Sequence, residues 1–195
     1  EGTVLTIFCI CQMENYYIDF LDSMPEPDIF ALDDDFVFDD DLDDMGGCVD
    51  NSYYAPWCGY TITDVIIENG VTNIGDYAFY QSFLTSIDIP DSVTSIGDMA
   101  FDGCKSLTSV SIGNGVTSIG SSAFSVCSNL KSIAIPEGVK TIENNTFYNC
   151  SNLTTVEVPN SVTAINESAF SGCDKLKYNE YSNGKYLGNN DNPCL

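Results

Sequence analysis

Five near-copies of one segment fill the second half of this chain, beginning at Ile62, Leu84, Leu107, Leu130 and Leu153. Four are 23 residues long and the first is 22. A period this short and regular constrains the chain to a solenoid, in which each copy is one coil stacked on the last. One coil buries too little apolar surface to stand alone, so stability has to come from stacking.

The skeleton within a copy states how the coil runs. In the second copy the recurring apolar positions are Leu84, Ile87, Ile89, Val93, Ile96, Ala100, Phe101 and Cys104. Ile87, Asp88 and Ile89 alternate inward and outward as a short strand does. Pro90 stops that strand, because proline has no N–H for the ladder. A second extended piece follows, with Val93 and Ile96 inward, and Gly97 turns the chain. The spacing of Ala100, Phe101 and Cys104 predicts one helical turn packed inward. The columns place Phe79, Phe101, Phe124, Phe147 and Phe170 in one core file, and Cys104, Cys127, Cys150 and Cys173 in another. A linear file of sulfurs does not gather tetrahedrally around zinc, so the thiols read as small core residues.

The skeleton L-x-x-[IV]-x-[IV]-P-x-x-V-x-x-I-x-x-x-A-F-x-x-C resembles the BspA-type leucine-rich repeat. It stands clearest as LTSIDIPDSVTSIGDMAFDGCKS over 84–106 and LTTVEVPNSVTAINESAFSGCDK over 153–175. Departures are Gly113 for the proline, Thr146 for the alanine, and Glu143 and Asn166 for the turn glycine. The flanks are similar to segments of the same family: Glu1 to Ile7 with Met13-Glu-Asn-Tyr16, Ala55-Pro56-Trp57, and Tyr178-Asn-Glu-Tyr181 with Tyr186-Leu-Gly-Asn-Asn-Asp-Asn-Pro193. The resemblance implies a β-rich right-handed leucine-rich repeat solenoid, with short parallel strands and one helical turn per repeat. It also implies a secreted or cell-surface protein of a host-associated microbe with adhesive or protein-binding roles. The organisation expected is an N-terminal capping-strand region over 1–61, five repeats over 62–175, and a C-terminal cap or linker over 176–195.

Charge narrows the partners. The chain carries 29 acids against six cations, all lysine, for a net charge of −23. Residues 1–60 hold fifteen of the acids and no cation. So negative a field repels nucleic-acid phosphates and anionic membranes, and favours basic protein surfaces or divalent cations. No run approaches the roughly 20 apolar residues that span a bilayer. The stretch from Val4 to Cys11 is short and lacks the basic flank of a signal peptide. A start at Glu1 rather than Met reads as a processed or trimmed product.

Residues 17–50 depart from the family pattern. Their acidic runs are interleaved with Phe30, Leu32, Phe36, Val37, Phe38 and Leu42. One reading is a solvated, mobile loop whose charge keeps its aromatics soluble. Another is a calcium site, since Asp39, Asp41, Asp43 and Asp50 fall at positions 1, 3, 5 and 12 of an EF-hand loop. Asp44 stands where that loop needs glycine, and the last ligand is Asp rather than Glu. A third is an acidic-aromatic peptide that docks on a basic partner. Cys48 and Cys58 flank the Ala-Pro-Trp segment and are a candidate disulfide pair.

Catalytic chemistry finds little footing. The chain has no histidine, which removes Ser-His-Asp and Cys-His systems and histidine metal sites. Phosphate-cradling glycine motifs are absent, and Asp98 and Asp102 read as decoration of an exposed turn rather than an acid–base pair. No cofactor is expected. The outward strand positions form the candidate binding face: Thr85, Ser86 and Asp88, then Thr108, Ser109 and Ser111, then Lys131 and Ser132, then Thr154, Thr155 and Glu157. Thr63, Asp64, Ile66 and Ala134 extend it. The face is small and polar, with almost no aromatic anchors. The function expected is therefore a non-enzymatic module making broad, multivalent contacts with a protein ligand, such as a host or matrix surface protein. The alternative is a structural spacer or targeting domain of a longer polypeptide.

Overall fold

The computed structural model describes residues 62–181 together with the strands Thr3–Ile7, Ile18–Asp19 and Gly184–Tyr186, and side chains over 62–178. The calcium candidates Asp39, Asp41, Asp43 and Asp50 and the pair Cys48 and Cys58 lie outside the described residues.

Strand β1 (Thr3–Ile7) runs parallel to β3 (Ile62–Ile67), and β2 (Ile18–Asp19) runs antiparallel to β1. From β3 onward each coil contributes two strands. Those on the first face are β3, β5 (Ser86–Ile89), β7 (Ser109–Ile112), β9 (Ser132–Ala134) and β11 (Thr155–Glu157). Those on the second face are β4 (Asn73–Ile74), β6 (Ser95–Ile96), β8 (Ser118–Ile119), β10 (Thr141–Ile142) and β12 (Ala164–Ile165). A hairpin of β13 (Asn179–Tyr181) and β14 (Gly184–Tyr186) follows. The molecule is thus a parallel β-solenoid in which five first-face strands mark about four turns.

Register follows the repeat. Ser86 pairs with Ser109 and Asp88 with Ser111, while Thr155 pairs with Ser132 and Glu157 with Ala134. The strand β5 ends at Ile89, immediately before Pro90. Inward residues of every coil form one core: Leu84, Leu107, Leu130 and Leu153 are fully buried, as are Phe101, Phe124 and Phe147. The five phenyl rings stack in one file, with centroids 5.1, 5.1, 5.8 and 5.3 Å apart in chain order.

The third face is not the helical turn that the Ala-Phe-Cys spacing predicts. No helix forms there; the residues are consecutive turns. Their amides divide into two sets. Ala78 N and Tyr80 N donate back three residues, to Gly75 O and Tyr77 O. Tyr77 N, Phe79 N and Gln81 N donate across to the next coil, at Asp98 O, Ala100 O and Asp102 O, over 2.7–2.9 Å. An α-helix would spend its amides internally, leaving none for the neighbouring coil. Left-handed backbone at Tyr77 and Gln81 (φ 56° and 54°) breaks any right-handed helix and recurs in later coils. Stacking therefore wins over helical hydrogen bonding because every interior coil has neighbours to satisfy.

Candidate functional site

The first strand face presents two outward columns. One runs Asp64, Ser86, Ser109, Ser132 and Thr155; the other runs Ile66, Asp88, Ser111, Ala134 and Glu157. All ten side chains are exposed. Period-two alternation puts them outside because their neighbours Ile87, Val110, Ile133 and Val156 turn to the core. Lys131 is also exposed, in the column of Thr85, Thr108 and Thr154.

That third column behaves differently from the reading of it as free contact groups. Thr108 donates its hydroxyl to Thr85 O at 3.0 Å, and Thr154 donates to Lys131 O at 3.0 Å. These hydroxyls lace coil to coil and have given up their donor protons to the scaffold. The groups left for a ligand include the Ser86, Ser109, Ser111, Ser132 and Thr155 hydroxyls, the Asp88 and Glu157 carboxylates, the Lys131 ammonium and the exposed Ile66.

The second face carries an equivalent array that the sequence reading did not assign. Thr94 and Thr117 donate to Thr72 O and Thr94 O, at 2.9 and 3.2 Å, and Thr163 donates to Lys140 O at 3.3 Å. The signal was present as the recurring Val-Thr-x-Ile, in which threonine stands at a fixed place beside a strand.

The acids at the turns are structural. Asp76 Oδ1 accepts from Asp98 N and Asp98 Oδ1 from Ser121 N, each at 2.7 Å, so each carboxylate ties down the next coil. Asp102 is half-buried, and desolvation raises its carboxyl above the ordinary value against the opposing bonds from Ser125 and Gly103. Asp98 and Asp102 thus have separate partners.

Cys104, Cys127, Cys150 and Cys173 are buried free thiols. Each donates to a phenylalanine carbonyl of an earlier coil: Phe79 O, Phe101 O, Phe124 O and Phe147 O, at 3.0–3.2 Å. Ser82 fills this column in the first coil and meets Cys104 Sγ at 3.2 Å. Burial pushes the Cys104 thiol up to about 12, and Cys127 well above its ordinary value, so neither is a nucleophile near neutral pH. Among the described residues no group of three or more Cys, Asp or Glu side chains is placed to hold a metal ion. No helix among them is long and apolar enough to cross a membrane.

A family model described as a BspA type leucine rich repeat region matches residues 51–189 in six copies. Among solved structures, a leucine rich cell surface protein from Faecalibacterium prausnitzii A2-165 is 41% identical with a TM-score of 0.57, over 64% of this chain and 32% of that one. A leucine rich repeat protein of T. pallidum is 33% identical with a TM-score of 0.54, over 59% of this chain and 55% of that one. The chain therefore spans about a third and about half of these two relatives. Comparison with curated proteins finds no match. The repeat skeleton, the stacked parallel strands and the family match agree that this chain belongs to the BspA type leucine-rich repeat family.

Proposed function

We propose that this chain is a non-enzymatic protein-binding module that engages its partner through the first strand face. The observation that carries the reading is the pair of exposed columns, Ser86-Ser109-Ser132-Thr155 and Asp88-Ser111-Ala134-Glu157, in which parallel pairing fixes the register of Ser86 with Ser109, Asp88 with Ser111, Ser132 with Thr155 and Ala134 with Glu157. Such a face offers many small polar groups and almost no aromatic anchors, which suits repeated, individually weak engagement. A relative described as a cell surface protein supports an extracellular or cell-surface location and an adhesive role. The partner we favour is a host or matrix surface protein with basic patches, complementary to the chain's net charge of −23.

The test is binding of the chain to immobilised, solubilised extracellular-matrix protein, beside a Ser109→Lys/Ser111→Lys variant. Both positions are exposed and outside the core, so the fold is expected to survive. Binding reduced at least about tenfold in the variant (roughly 1.4 kcal/mol) is the expected result. Equal binding by the two proteins removes this face from consideration.

A second reading is favoured by coverage: the two relatives extend well beyond the matched region. In it the array is a spacer or targeting domain, and the activity resides elsewhere in a longer polypeptide. A chain that binds no matrix protein at all would favour that reading.

A further inference from the structure

The coils are not joined equally. On the second face, β4, β6 and β8 form one ladder and β10 and β12 another, with no pairing between β8 and β10. On the first face β5 pairs with β7 and β9 with β11, but β7 does not pair with β9. The junction between the third and fourth coils is thus the one interior junction interrupted on both faces among the described residues. Between the first and second coils β3 and β5 are also unpaired, yet β4 and β6 are joined.

Individual amides tell the same story. Thr117 N donates to Thr94 O and Thr163 N to Lys140 O, and Gly120 N and Asn166 N donate to Ile96 O and Ile142 O, all at 2.8–2.9 Å. The equivalent donors at this junction, Lys140 N and Glu143 N, make no such bond to Thr117 O and Ile119 O. Lys131 N likewise makes none to Thr108 O, although Thr108 N and Thr154 N bond their counterparts at 2.9 Å. The phenyl file is widest at the same place, 5.8 Å between Phe124 and Phe147. What remains is the turn face and the corner after it, where Ser122 N, Phe124 N and Val126 N reach Asn144 O, Thr146 O and Tyr148 O over 2.7–2.9 Å, Cys150 Sγ donates to Phe124 O at 3.1 Å, and Asn152 Nδ2 donates to Ser128 O at 2.7 Å. The corner at Gly138 also stays close, since a Cβ there would lie 2.7 Å from Val116 O.

Two departures from the repeat coincide with the gap. The turn position before the third face is Gly75, Gly97 and Gly120 in the first three coils and Glu143 in the fourth. A Cβ at Gly97 or Gly120 would lie 2.6 Å from the Asp76 or Asp98 amide nitrogen, so the approach at these two junctions leaves no room for one. Glu143 supplies that Cβ. Thr146, fully buried, replaces the alanine of the other coils and places its hydroxyl 3.5 Å from Gly120 O across the junction. Asn166 also carries a Cβ in the fifth coil, where β10 and β12 stay paired and its side chain donates to Glu143 Oε2 at 2.9 Å. On the other side of the third coil, Gly113 allows an approach that would put a Cβ 2.6 Å from Asp91 N, drawing this coil toward the second.

We infer that the solenoid has a built-in seam between its third and fourth coils, opened by Glu143 and Thr146, about which the first three coils and the last two move as separate blocks. The seam crosses the proposed binding face between Ser111 and Ala134, so its opening changes the curvature a partner meets. The inference does not depend on that binding role.

Amide hydrogen exchange on the intact chain tests it. Relative to their intrinsic rates, Lys131, Lys140 and Glu143 amides are expected to exchange at least about tenfold faster than their counterparts Thr108, Thr117, Gly120, Thr154, Thr163 and Asn166. In a Glu143→Gly/Thr146→Ala variant, which restores the residues of the neighbouring coils, exchange at positions 140 and 143 is expected to slow to the rate of those counterparts. Equal protection across all these amides in the parent chain overturns the seam. Unchanged exchange at 140 and 143 in the folded variant overturns its assigned cause. Loss of binding on mutation of Ser109 and Ser111 leaves both outcomes untouched, so the two readings fail separately.

Discussion

Val126 holds the left-handed backbone conformation, at φ 54°. That region is costly for a β-branched side chain, by about 1–2 kcal/mol. Its column shows how other coils meet the same demand: Gly103 and Gly172 at φ 73° and 78°, and Asn149 at φ 56°. Val126→Asn is therefore expected to stabilise the protein by about 1 kcal/mol, read as a higher urea midpoint at unchanged slope. A lower midpoint would show that Val126 contributes more through packing than its backbone costs. The column was visible in the sequence, but its strain was not. Nothing in a lone valine announces a positive φ. The hydroxyls of Thr108 and Thr154 are a similar case. Alternation placed these residues at the surface correctly, yet it could not say that their protons already serve carbonyls of the previous coil.

Elements here are defined by their neighbours. The two-residue strands β4, β6, β8, β10 and β12 have no independent existence as ladders and form only because a coil above or below supplies partners. The phenyl file shows the same dependence: rings from adjacent coils lie nearly parallel, at 2–17°, with a spacing imposed by the coil repeat. Phe124 sits at its centre and is fully buried, so Phe124→Ala is expected to cost on the order of 3–5 kcal/mol. Chemical denaturation measures this directly, and an unchanged midpoint would contradict the role of the file. The strands and the apolar columns were legible because period-two alternation and Pro90 act locally. The third face was not, because Ala100, Phe101 and Cys104 suit a helical turn as well as a run of tight turns. The choice between them depends on whether Phe79 N finds Ala100 O in another coil.

Across the whole molecule, charge opposes compaction. The fifteen acids of residues 1–60 and the surplus over the array give a net −23, whose self-repulsion weakens the folded state. Screening shortens the reach of that field to about 10 Å at 0.1 M salt. Thermal unfolding is therefore expected to move up by several degrees between about 10 mM and about 500 mM sodium chloride. A Tm that falls with salt would mean that attractive electrostatic interactions outweigh the repulsion. The sequence by itself determined the solenoid, its repeat length, its core columns and its outward face, because each coil repeats the same local pattern and stacking is the one arrangement that buries it. Tertiary structure decided the rest. Whether a given amide bonds its own coil or the next, which threonine hydroxyls remain free, and how closely two coils approach all depend on pairs of residues some 23 positions apart. A single added Cβ at Glu143 matters only because of what lies across the junction from it.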